Sequence, residues 1–169
     1  LLFQHFAKVG DSKSALNLLD LLSQRDQQLS ISHATLALRA CLTNQDVESL
    51  EKINDIMKRL KMEPNMDFIE HLMELHSTLG QYSRVAEIFT TCDQEPSLKM
   101  FSLLIKALLF DKNFLAAHAA FNVFKGKKFN SNQRELYYLT LIEYYSIQGL
   151  FVDALTVMER MKQREIKRT

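Results

Sequence analysis

The sequence predicts an all-α fold, an α-solenoid of helix–turn–helix hairpins stacked in series at a period of about 35 residues. Three observations predict it. The 169 residues include only four glycines and two prolines, too few for the tight turns that a sheet protein needs. Apolar residues make up 47% of the chain and recur at helical spacing. The segments GDSKSALNLL, QDVESLEKIN, GQYSRVAEIF, KNFLAAHAAF and GLFVDALTVM are self-similar and begin at Gly10, Gln45, Gly80, Lys112 and Gly149, at intervals of 35, 35, 32 and 37 residues.

In chain order, a truncated helix is expected over 1–9, ahead of the first anchor. Each anchor then opens the second helix of a hairpin. The first helices of the following hairpins are SHATLALRACLTN (32–44), MDFIEHLMELHSTL (66–79), LKMFSLLIKALLFD (98–111) and ELYYLTLIEYYSIQ (135–148). Gly10, Gly80 and Gly149 follow apolar segments, as C-cap glycines do, while Pro64 and Pro96 precede them, as helix-start prolines do. Leu50, Ile53, Met57 and Leu60 make one stripe. Phe101, Leu103, Ile105, Leu108 and Leu109 make a broader one, and Ala154, Val157, Met158 and Met161 a third. Phe89, Phe121, Leu136 and Leu141 belong to the expected core, with Cys41 and Cys92 as small core residues. The expected organisation is a single array over 1–169, four and a half to five hairpins long. The opening LLFQHFAKVG, without an initiator methionine or a signal peptide, reads as the interior of a larger protein.

Composition excludes several classes. The apolar fraction is too high for intrinsic disorder. Two cysteines make no disulfide framework, no Cys/His spacing fits zinc, and a reducing compartment is expected. Apolar runs are broken by polar or charged residues before the ~18 positions that a membrane span needs. His71, Glu74 and His76 resemble a metal cluster only in one dimension, because residues five apart on a helix diverge by about 140°. A Gly-rich phosphate loop, a nucleophile elbow and HExxH are all absent, so the reading is not an enzyme, with no cofactor and no small-molecule substrate.

The stretch YYLTLIEYYSIQGLFVDALTVMERMKQREIKRT is similar to the pentatricopeptide-repeat pattern over its full length. LKMFSLLIKALLFDKNFLAAHAAF and KINDIMKRLKMEPN repeat the likeness, with the interhelical Gly, the following Ala, the Met and the terminal Pro-Asn in register. This resemblance implies a right-handed superhelix whose first helices line a groove for single-stranded RNA, one nucleotide per repeat. It also implies a mitochondrial or plastid protein acting in RNA stability, processing or translation. The other reading is a protein-interaction scaffold in an organellar ribosome or RNA-processing complex, with protein partners and degenerate base reading.

By the resemblance, two residues per repeat read the base, one ten before the interhelical anchor and one twenty after it. In the second repeat these are Thr35 and Asn65, a pairing that implies adenine. A hydroxyl beside a carboxamide offers the donor and acceptor that a base edge requires. The alternative is that Thr35 is an ordinary early-helix polar residue and Asn65 a helix cap. The fourth repeat offers Ser102 and, by counting, Asn132, although its long interval lets Ser131 or Arg134 take that place. Glu70 with Ser97, and Leu139 with Thr169, are poor reading pairs. The wedge positions hold Ser32, Asp67, Lys99 and Leu136, of which only Leu136 fits. The lysine usual before the turn is replaced by Thr43, Thr78, Phe110 and Ile147.

Charge is segregated. Residues 1–124 carry 12 basic and 15 acidic side chains, while 125–169 carry 9 and 5, for a net charge of +1. Phosphate contacts dominate RNA affinity, so the candidates for them lie at the basic end: Lys125, Lys127, Lys128 and Arg134, with Arg160, Lys162, Arg164, Lys167 and Arg168 beyond. The cluster Tyr137, Tyr138, Tyr144 and Tyr145 is read as packing between hairpins rather than as a stacking platform.

Overall fold

The computed structural model describes residues 1–25 and 29–163, and every regular element among them is helical. The chain divides into two compact units, Leu1–Gly80 and Gln81–Thr169.

The first unit contains α1 (Leu2–Val9), α2 (Ser12–Gln24), α3 (Ile31–Asn44), α4 (Val47–Arg59) and α5 (Met66–Thr78). First helices α1, α3 and α5 pack in a row, α2 packs on α4, and each second helix also lies on a first helix. Helix α3 is the hub, touching the other four. That position explains its composition: Ala34, Ala37, Leu38, Ala40 and Cys41 are all fully buried, and small side chains let four neighbours approach one axis. Burial, with Asp46 as a second cause, pushes the Cys41 thiol up to about 12. Helix α4 needs only one apolar face, made by Leu50, Ile53, Ile56 and Met57.

The second unit contains α6 (Tyr82–Thr91), α7 (Leu98–Phe110), α8 (Phe114–Lys125), α9 (Arg134–Ile147) and α10 (Phe151–Gln163), with a short 3₁₀ turn at Ser131–Gln133. Helix α7 packs on α6, α8 and α9, and eight of its residues from Leu98 to Leu109 are buried. Rings join the elements: Phe121 stacks on Tyr144 at 3.7 Å and Phe124 on Tyr137 at 5.2 Å, while Phe89 meets Phe101 edge-on at 5.0 Å. The tyrosines are therefore packing residues, as the repeat resemblance implies; Tyr144 also reaches His118 Nδ1 at 2.8 Å.

The five anchors share one backbone feature. Gly10, Gln45, Gly80, Lys112 and Gly149 all have positive φ, between 54° and 79°. Each ends a first helix in the left-handed conformation and turns the chain into the second. The residue after it can cap the second helix: Asp11, Asp46 and Asn113 accept the backbone N–H three positions on. Several apolar assignments change. Leu60, the last member of the first stripe, is exposed because α4 stops at Arg59. Cys92 is half-buried, not in the core, because α6 stops at Thr91 and leaves it at the helix end, its thiol 3.7 Å from the Gln94 carbonyl. Phe89 and Leu136 are likewise only half-buried, whereas Phe121 and Leu141 are core.

Candidate nucleic-acid interface

The first-helix N-termini, where base reading is expected, are built by capping. Asn65 precedes α5, and its Oδ1 accepts the Phe68 amide at 2.9 Å. Ser97 does the same for α7 through the Met100 amide at 3.2 Å. At α3 the Ser30 amide donates to His33 Nδ1 at 3.2 Å. Asn65 thus has the capping role open to it from sequence, with its exposed carboxamide at the surface.

Thr35 is only 3% exposed, and its hydroxyl donates to the Ile31 carbonyl at 2.9 Å. It therefore presents no free hydroxyl to a base edge. Ser102 is half-buried, with Thr140 Oγ1 2.9 Å from its Oγ and 2.8 Å from the Leu136 carbonyl. The carbonyl can only accept, so Thr140 gives its proton there and Ser102 donates to Thr140. Asn132 is exposed in the middle of the 3₁₀ turn. The capping role of Asn65 and Ser97 falls instead to Asn130, whose Oδ1 accepts the Gln133 amide at 3.0 Å while Gln133 Oε1 accepts the Asn130 amide at 3.2 Å. The two extra residues of the long interval are taken up by that turn, which shifts the counting. Leu139 is exposed, and Thr169 lies outside the described residues.

The basic end separates into two kinds of cation. Lys127 is half-buried, lies 5.3 Å from the centre of the Phe101 ring and pairs with Glu95 at 3.1 Å. Arg134 is also half-buried, and its Nε is enclosed without a hydrogen-bond partner. Lys127 therefore serves the fold as much as any ligand. Lys125, Lys128, Arg160 and Lys162 are exposed, and Arg164, Lys167 and Arg168 lie outside the described residues.

A cavity of about 380 Å³ opens beside these exposed cations, lined by Lys125, Phe129, Tyr137, Tyr138, Leu141, Val157, Arg160 and Gln163. Part of its lining is aromatic: Phe129 stacks on Tyr137 at 4.2 Å, and the Tyr137 hydroxyl donates to the Lys125 carbonyl at 3.1 Å. Tyr137 and Tyr138 are buried in packing, so the half-buried Phe129 is the ring open to a base, with Lys125 and Arg160 in the same lining for its phosphate. Sequence reasoning named Lys125 and Arg160 but missed Phe129 and Gln163 as their companions. The signal available was the run of Lys125, Lys127 and Lys128 ending on an aromatic residue. Among the described residues, no three His, Cys, Asp or Glu side chains are grouped to hold a metal ion, and no helix is long and apolar enough to cross a membrane.

Comparison with known proteins agrees with this repeat architecture. No family model matches the chain. Over 166 residues, 96% of its length, the chain is 27% identical to a mitochondrial pentatricopeptide repeat-containing protein of Arabidopsis thaliana. The chain spans 24% of that protein's length.

Proposed function

We propose that this chain is a binding module for single-stranded RNA, without catalytic activity, that acts in mitochondrial RNA stability, processing or translation. The observation that carries the reading is the cavity at the basic end, where the exposed Lys125 and Arg160 share a lining with the half-buried Phe129. Stacking on rings and pairing with phosphates is how single strands are held without regard to sequence. Similarity along nearly the whole chain to a mitochondrial pentatricopeptide-repeat protein supports the same partner and compartment.

Base selection is the finer part of the proposal and rests on Asn65 with Thr35, and on Ser102 with Asn132. Since the Thr35 hydroxyl is closed on its own helix, the carboxamide of Asn65 is the stronger contributor of the first pair. The test is competition binding of single-stranded RNAs varied at one nucleotide. By the family's pairing, Thr35→Asn with Asn65→Asp turns the preference from adenine to uracil. One hydrogen-bonded base contact is worth about 1–3 kcal/mol, so relative affinity should move about tenfold or more. Identical ranking of the four bases by both proteins would reject base reading at this repeat. Binding to protein rather than RNA is the second reading, favoured by the closed hydroxyl of Thr35.

A further inference from the structure

Second helices close on each other in one unit and stay apart in the other. In the first unit, α3 lies between α2 and α4 and buries small side chains, Ala34, Ala37 and Ala40, and α2 packs on α4. In the second unit, α9 carries large ones. Its Tyr137 and Tyr144 stack on Phe124 and Phe121 at 5.2 and 3.7 Å, so α8 is propped on rings and makes no comparable packing on α10. The cavity of about 380 Å³ lies in that gap, between two successive hairpins. Lys125 and Phe129 line it from the side of α8, and Val157, Arg160 and Gln163 from α10.

The polar groups of the lining differ in what they have left to give. The Tyr137 hydroxyl is engaged with the Lys125 carbonyl. Lys125, Arg160 and Gln163 are exposed, and among the described residues none of their side chains has a hydrogen-bond or ion-pair partner. Elsewhere Lys52, Arg59, Arg84, Lys106 and Lys127 each pair with a carboxylate, whereas no carboxylate belongs to this lining. Lysine and arginine only donate; a carboxamide carries a donor and an acceptor side by side. Gln163 is therefore the side chain of the lining free to match both halves of a base edge, with the two cations left for phosphate.

We propose that this cavity takes one adenine out of the RNA strand and that Gln163 is the residue that selects it. The proposal rests on the RNA-binding reading above and adds a base preference to it. A glutamine carboxamide meets adenine through two hydrogen bonds, its oxygen accepting from the exocyclic amine and its nitrogen donating to the neighbouring ring nitrogen. A two-ring base also lays more π surface on Phe129 than a pyrimidine does. The volume is at the small end of ligand sites, which suits a single nucleotide rather than a run of them. Gln163 stands on a second helix, so this selection is independent of the first-helix pairs.

The test is fluorescence anisotropy of the 169-residue chain with a short single strand of uridines and with the same strand carrying one central adenosine. The adenosine strand should bind about tenfold more tightly. Gln163→Leu keeps the bulk and removes both hydrogen-bonding groups, and it should bring the two strands to within about twofold of each other. The site is exposed in the last turn of α10, so the helical circular dichroism should not change. Equal affinity of the wild type for the two strands, or a preference for adenosine that Gln163→Leu leaves intact, would overturn selection by Gln163 while RNA binding stands. Failure of the wild type to bind either strand would overturn both.

Discussion

A side chain held at positive φ costs roughly 1–2 kcal/mol that glycine does not incur. Three of the five turn anchors are glycine, while Gln45 and Lys112 occupy the same conformation at φ 54° and 59°. Gln45→Gly and Lys112→Gly should therefore each stabilise the protein by about 0.5–1 kcal/mol, part of the gain being returned to the freer unfolded chain. The glycines themselves are not equivalent. A Cβ on Gly80 meets nothing within 4 Å, whereas one on Gly10 falls 2.6 Å from Thr43 Cγ2. Gly80→Ala should lose about 1 kcal/mol from φ alone, and Gly10→Ala distinctly more. Thermal unfolding followed by circular dichroism ranks the four variants; equal losses at Gly10 and Gly80 would refute the close approach of the first turn to α3.

At the scale of elements, the joint between α2 and α4 is organised by one carboxylate. Asp46 caps α4 by accepting the Ser49 amide at 3.0 Å and hydroxyl at 2.7 Å, and accepts the buried Ser12 hydroxyl of α2 at 2.6 Å. Partial burial pushes its pKa up, but the hydrogen bonds from Ser12 and Ser49 outweigh it and hold the carboxyl below the usual range. Asp46→Ala should cost about 2–3 kcal/mol at neutral pH, about 1 for the cap and the rest for a buried Ser12 hydroxyl without its acceptor. A depressed folded-state pKa stabilises above the unfolded value and loses that contribution as pH falls through the folded one. The stability gap between wild type and Asp46→Ala should thus be full at pH 7 and shrink below about pH 4. Urea unfolding at pH 7 and pH 3 measures it, and a gap that stays constant would assign the whole effect to packing.

Charge belongs to the whole molecule, and its surplus sits beyond residue 124. Counterion release makes the salt dependence of RNA binding a count of phosphate contacts, with about 0.7 in log–log slope for each on a single strand. Reversing Lys127 or Arg134 would confuse that count, since one rests over Phe101 and the other is enclosed at Nε. The clean variant is Lys125→Gln, Lys128→Gln and Arg160→Gln, all at exposed sites. It should weaken binding alike for all sequences and lower the slope by about 2. Fluorescence anisotropy over a salt series reads this, and an unchanged slope would make the basic end a solubilising surface only.

The helices and their order were legible in the sequence by itself, because they rest on local physics. Anchors at a 35-residue spacing mark where the backbone must turn left-handed, and apolar stripes between them can only be buried by helices. The same locality let Gln45 and Lys112 be placed beside the glycines, although neither is a residue that seeks positive φ. Tertiary structure decided what locality cannot reach. Whether Thr35 offers its hydroxyl outward depends on how deeply α3 sits among four neighbours, and there it turns back on Ile31. Phe129 and Gln163 lie 34 positions apart, yet line one cavity because α9 and α10 bring them together. The cap ahead of α9 falls on Asn130 and leaves Asn132 exposed within a 3₁₀ turn, which counting along the chain does not foresee. A period sets which residues are equivalent, but exposure and partnership depend on neighbours from other hairpins, and only packing sets those.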